Sequence, residues 1–136
     1  MTFTKEIRKK IEAVARAHNL TLVVFFGSQA TEKTHRGSDV DIAYAARTPL
    51  HLEEEARLLI DLAAICKTNQ IDLVSLREAS PLLLREVANT GKALYEADSS
   101  SFHNFYLYAI RRFAESRQLQ KLRSRYLIKR IAHYAA

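Results

Sequence analysis

The chain has 136 residues, 48% of them hydrophobic and 26% charged, with only three glycines and two prolines. That composition can close a core and excludes disordered and collagen-like classes. Net charge is +6 but uneven: residues 1–98 hold 13 basic and 14 acidic side chains, whereas residues 99–136 hold eight basic ones against Glu115 alone.

Residues 4–18 place Ile7, Ile11, Val14 and Ala15 at helical spacing behind Thr4, a candidate N-cap. This segment lacks the uninterrupted apolar stretch of a signal peptide. Residues 20–26, LTLVVFF, form a β-branched and aromatic run ending at Gly27, which predicts a strand covered on both faces. The run is far too short to cross a bilayer. A polar loop follows, with a short helix expected over 29–34. In DVDIAYA, Asp39, Asp41 and Ala43 alternate with Val40, Ile42 and Tyr44, the period of a strand with one buried face. Residues 52–66 predict a helix with Leu52, Ala56, Leu59, Ala63 and Cys66 on its buried stripe. Cys66 is the lone cysteine, so no internal disulfide can form; a core role and a cytoplasmic location are expected. QIDLVSL (70–76) predicts a third strand, with Ile71 and Leu73 on one side and Asp72 and Val74 on the other. A helix then follows from Ser80 as N-cap and Pro81 to Gly91 as C-cap, before a short closing strand, KALYE. After ADSSS, residues 102–134 read as helix, with Tyr106, Ile110, Phe113, Leu119, Leu122, Tyr126 and Ile131 as an interrupted apolar stripe. The expected architecture is α/β (α+β): a small mixed sheet flanked by helices over residues 1–98, then a basic helical extension over 99–136.

Chemistry concentrates in the stretch from 23 to 44. Gly27-Ser28 closes a buried strand, so backbone amides can face outward there, and such amides at a helix start favour a phosphate. Ten residues later, Asp39 and Asp41 lie two apart on a strand and project from one face. Two such carboxylates suit a hard divalent cation, and Mg²⁺ characteristically takes one or two carboxylates plus substrate phosphates. Asp72 is a third carboxylate set in an apolar strand. Taken singly, each feature has an ordinary structural role: Gly-Ser as a turn, Asp-x-Asp as a strand-end cap, Asp72 as an edge-strand charge. Their order along the chain carries the functional reading.

The segment GSQATEKTHRGSDVDIA resembles the G-S-x10-D-x-D signature of the nucleotidyltransferase superfamily that includes DNA polymerase β. The small size resembles its minimal branch, the antitoxins paired with HEPN-domain RNase toxins. The resemblance covers residues 1 to about 98. It implies that Gly27 and Ser28 hold ATP phosphates, with Ser38 and Arg36 also in the nucleotide site. It implies that Asp39, Asp41 and Asp72 bind two Mg²⁺ ions and form the catalytic set. The implied reaction transfers AMP to a tyrosine of a HEPN-type toxin and releases pyrophosphate. The loop departs from the family pattern: Thr31 and Glu32 stand where many relatives carry arginine and glycine. Lys33, His35 and Arg36 are the candidate replacements for that cation. Two other functions fit the same residues, adenylylation of a small-molecule hydroxyl and neutralisation of a partner by binding alone.

For the basic tail, clustered arginines with interleaved Phe and Tyr leave three readings. It is a charged helix packed on the body, a helix docked on a partner protein, or a nucleic-acid contact. No membrane role is expected.

Overall fold

The computed structural model of the chain describes residues 2–27 and 40–135. The expected helix over 29–34 lies outside the described residues. The elements are α1 (Lys5–Ala17), β1 (Leu20–Phe26), β2 (Val40–Ala46), α2 (Leu52–Cys66), β3 (Ile71–Ser75), α3 (Pro81–Thr90), β4 (Lys92–Glu96) and α4 (Ser101–Ala135). Local chemistry sets most boundaries. The Thr4 hydroxyl accepts from the Ile7 amide at 3.3 Å, and the Ser80 hydroxyl accepts from the Leu83 amide at 3.2 Å ahead of Pro81.

The four strands run in the order β3-β2-β1-β4. β1 is antiparallel to both β2 and β4, whereas β2 and β3 are parallel and joined through α2. A parallel pair needs such a crossover, because no tight turn can return the chain to the same end of the sheet. The result is an α+β fold built on a mixed sheet.

Both faces of the sheet are covered. On one, Ile11 and Ala15 of α1 and Leu58, Leu62 and Cys66 of α2 pack on Val23, Phe25, Val40, Ile42 and Tyr44. On the other, Leu84, Val87 and Ala88 of α3 and Phe105 and Ala109 of α4 pack on Leu22, Val24, Phe26 and Ala43. β1 therefore is buried on both sides, as its unbroken apolar run predicts. β2 differs from expectation: Ala43, on the face expected to be open, is fully buried. The short alanine leaves room for the second helical layer.

Two helical stripes also differ in phase from the expected ones. On α2, Leu58, Leu62 and Cys66 face the core, while Leu52 is 85% exposed. On α4, Phe102, Phe105, Ala109 and Phe113 face the body, whereas Tyr106 and Ile110 are exposed. Each helix carries two apolar stripes, and periodicity alone does not say which one meets a sheet.

The first turns of α4 are anchored by acids. The Asp98 carboxylate accepts from the Ser100 amide at 2.9 Å and the Ser100 hydroxyl at 2.7 Å, which holds its pKa below the usual carboxylate value. The Glu96 carboxylate accepts from the Phe102 amide at 2.9 Å. Among the described residues, no helix is long and apolar enough to cross a membrane.

Gly91 closes α3 at a negative φ of −74°, so its need for glycine is steric. A Cβ there would lie 2.3 Å from the Val87 carbonyl oxygen and 2.5 Å from Val24 Cγ1. Gly91→Ala is expected to destabilise the protein by about 1–3 kcal/mol through overpacking, read as a lower midpoint in urea unfolding.

Candidate active site

The site lies where β1 ends and β2 and β3 begin. The antiparallel pairing sets Phe26 opposite Asp41, and the parallel pairing sets Asp41 level with Asp72. Residues paired in register on neighbouring strands share a face. Their alternate neighbours identify it: Phe26, Ala43 and Val74 all belong to the apolar layer beneath α3 and α4. Asp41 and Asp72 therefore present carboxylates side by side, at the end of that layer. Asp41 is half-buried and Asp72 is exposed.

Gly27 makes room for this arrangement. Its φ of +85° lies in the region that L side chains rarely adopt, and the Asp41 carboxylate occupies the space where a side chain would stand. A Cβ on Gly27 would be 2.2 Å from Asp41 Oδ2 and 3.1 Å from its Cγ. Glycine is thus required twice, for backbone conformation and for clearance.

The Gly27 amide is donated to Thr90 Oγ1 at 3.2 Å, and the Thr90 hydroxyl donates in turn to the Glu86 carbonyl at 2.8 Å. This bond ties the end of β1 to the last turn of α3; the amides that follow Gly27 in the turn lie outside the described residues. Thr90 escaped the sequence reading, although the pair Thr90-Gly91 at a helix end, just before a strand, was the available signal. Of the other expected site residues, Ser28, Arg36, Ser38 and Asp39 lie outside the described residues, as do Thr31, Glu32, Lys33 and His35.

Level carboxylates on adjacent strands are costly. Like charges directly opposite on neighbouring strands are destabilising, and a shared cation would remove that cost. β3 is an edge strand, so Asp72 also fits a charge that discourages edge pairing. That role asks only for a charge somewhere along the strand, not for one level with a second carboxylate. The donor set is hard oxygen, which suits a hard cation such as Mg²⁺ better than a soft metal.

Burial, then the hydrogen bond to Glu55, pushes the Tyr44 hydroxyl pKa well up, so Tyr44 stays protonated and donates to Glu55 at 2.5 Å, fastening α2 to β2. Burial pushes the Cys66 thiol up as well. A buried thiol that resists ionisation is a core residue rather than a nucleophile.

This fold and edge define a class: small α+β proteins with aspartates on neighbouring strands beside a glycine turn. Comparison with known proteins makes the class specific. The polymerase beta nucleotidyltransferase family model matches residues 9–100. The chain is 32% identical over 116 residues to the protein adenylyltransferase MntA of Aphanizomenon flos-aquae, covering 75% of this chain and 74% of that one. It is 38% identical over 76 residues to the protein adenylyltransferase MntA of Shewanella oneidensis, covering 56% of this chain and 54% of that protein. A toxin–antitoxin crystal structure with AMP-PNP superposes with a TM-score of 0.69 at 29% identity, covering 91% of this chain and 98% of that one. A tri-AMPylated HEPN toxin from Shewanella oneidensis in complex with its MNT antitoxin gives a TM-score of 0.66 at 26% identity, covering 93% and 98%. The chain belongs to the polymerase beta nucleotidyltransferase family.

Two substitutions test this corner. Gly27→Ala is expected to abolish nucleotidyl transfer and to lower stability by at least about 1 kcal/mol, the cost of a left-handed non-glycine residue; activity and urea unfolding of one preparation read both. Thr90→Val keeps the shape but removes the hydrogen bond from the Gly27 amide, which should cost about 1 kcal/mol, seen as a lower melting temperature.

Proposed function

We propose that the chain is a Mg²⁺-dependent adenylyltransferase that transfers AMP from ATP to a tyrosine hydroxyl of a HEPN-type RNase toxin, and so acts as its antitoxin. The observation that carries this reading is the level placement of Asp41 and Asp72 beside Gly27, in a chain whose family transfers nucleotides. The relatives support the protein acceptor: two are adenylyltransferases by name, and one solved neighbour contains a HEPN toxin bearing AMP.

In this reading Asp41 and Asp72, with Asp39, hold two Mg²⁺ ions. Bound there, the metal supplies charge neutralisation at the phosphates and acidifies the attacking hydroxyl. Gly27 leaves the Asp41 carboxylate space to lie against the turn, and Ser28, Ser38 and Arg36 bind the triphosphate. The acceptor oxygen bonds to the α-phosphorus as the bond from that phosphorus to the bridging oxygen breaks. Pyrophosphate departs, and Asp72, the more exposed carboxylate, stands beside the acceptor and receives its proton.

The test is transfer of label from α-labelled ATP. With Mg²⁺ and the toxin, label is expected on the toxin; it should vanish with EDTA or in Asp39→Ala/Asp41→Ala. Asp72→Asn should lower the rate on the order of 10²-fold, as loss of a group acting in the transition state does. A tight complex that never carries label would sink this reading in favour of neutralisation by contact.

A further inference from the structure

The distal half of α4 contributes nothing to the core. From residue 117 to 134 every side chain is exposed, a helical arm of about 27 Å at 1.5 Å per residue. It carries Leu119, Leu122 and Tyr126 on one stripe and Leu127, Ile131 and Tyr134 on another, 45 to 74% exposed. Arg117, Lys121, Arg125 and Lys129 follow each other at four-residue spacing, and no acidic residue comes after Glu115. Each like-charge step of that ladder costs a few tenths of a kcal/mol in an isolated helix. An acidic surface with an apolar strip relieves both burdens together. Nucleic acid would neutralise the ladder but leave the apolar stripes in water, so a protein is the better fit.

The solved toxin–antitoxin neighbour points the same way. Its superposition covers 91% of this chain, roughly 124 residues, of which at most 100 precede α4. At least about two thirds of the helix therefore belongs to a shape that a relative adopts in an assembly with its toxin.

The arm is also remote from the reacting groups. Phe113, Ser116, Arg117 and Gln120 border the same crevice as Ser80, Pro81 and Leu82, at the start of α3. Thr90, at the other end of α3, holds Gly27. Ten helical residues, about 15 Å, separate the two ends.

We infer that residues 117–134 form an exosite: a basic, apolar-striped helix that docks an acidic helical face of the protein substrate away from the site of transfer. The identity of that substrate rests on the adenylyltransferase reading above. An exosite contributes binding that is equal in ground and transition states, so it acts on KM and leaves kcat alone.

The experiment measures initial rates of label transfer against toxin concentration, with titration calorimetry of toxin binding. The variants are Lys121→Glu/Arg125→Glu and Leu127→Gln/Ile131→Gln, all exposed positions where glutamate and glutamine preserve helix. Both are expected to raise KM for the toxin at least tenfold, with kcat within twofold and ATP affinity unchanged. Unchanged KM in both, with normal labelling, overturns the exosite and leaves the adenylyltransferase reading standing. Wild-type binding without label, lost in the variants, removes that reading and keeps the docking arm. Variants that keep KM but lose affinity for a single-stranded RNA oligonucleotide overturn the protein exosite in favour of a nucleic-acid arm. A wild type that neither binds nor labels the toxin sinks both.

Discussion

The carboxylate of Asp41 lies over the α-carbon of Gly27, in the space a side chain would fill, and the candidate site is organised around that contact. It requires β1 to end where β2 begins, which the antiparallel register supplies. It requires the backbone at Gly27 to hold a left-handed φ, which the hydrogen bond to Thr90 secures from the far side. Because β1 is central in the sheet and buried on both faces, the turn is fixed to the most rigid element available. A site built on such an element keeps its geometry more closely than one carried by loops alone.

From this corner the rest of the molecule divides by distance. The parallel β2–β3 pair brings Asp72 level with Asp41 at one end of the sheet. At the other end, β4 runs out into α4, whose first turns are held by Glu96 and Asp98 and whose Phe105 and Ala109 complete the second core layer. Transfer chemistry and the basic arm are thus rooted at opposite ends of α3. Body and arm also differ in charge, which in the proposed reading gives each its own ligand, a cation with its phosphates at one end and an acidic surface at the other.

Much of the fold was legible because local signals agreed with the packing. Thr4, Ser80 and Pro81 cap and start their helices, and the unbroken LTLVVFF run reads as a doubly covered strand. The misreadings share one cause. Helix α2 carries Leu52, Ala56 and Leu59 as well as Leu58 and Leu62, and either set reaches Cys66, buried as expected, at a helical period. Only contact with the sheet selects the second. The same ambiguity shifted the stripe on α4. For β2, alternation with alanine reads as an open face, because a small residue beneath a helix resembles one facing water.

The sequence by itself determined the order of elements and the spacing of chemistry: a glycine after a buried strand, aspartates two residues apart further on, the second of them on the next strand, and another aspartate on a third. Spacing is a property of covalent geometry, so it can be read from one chain. Tertiary structure decided which carboxylates meet and what holds them. The levelling of Asp41 with Asp72 comes from the parallel register of strands whose paired residues are 31 apart in the chain. The closure of Gly27 comes from Thr90, 63 residues further along. Neither distance leaves a periodic trace, because hydrogen bonds across a sheet and between layers depend on how the chain returns, not on what lies next to it.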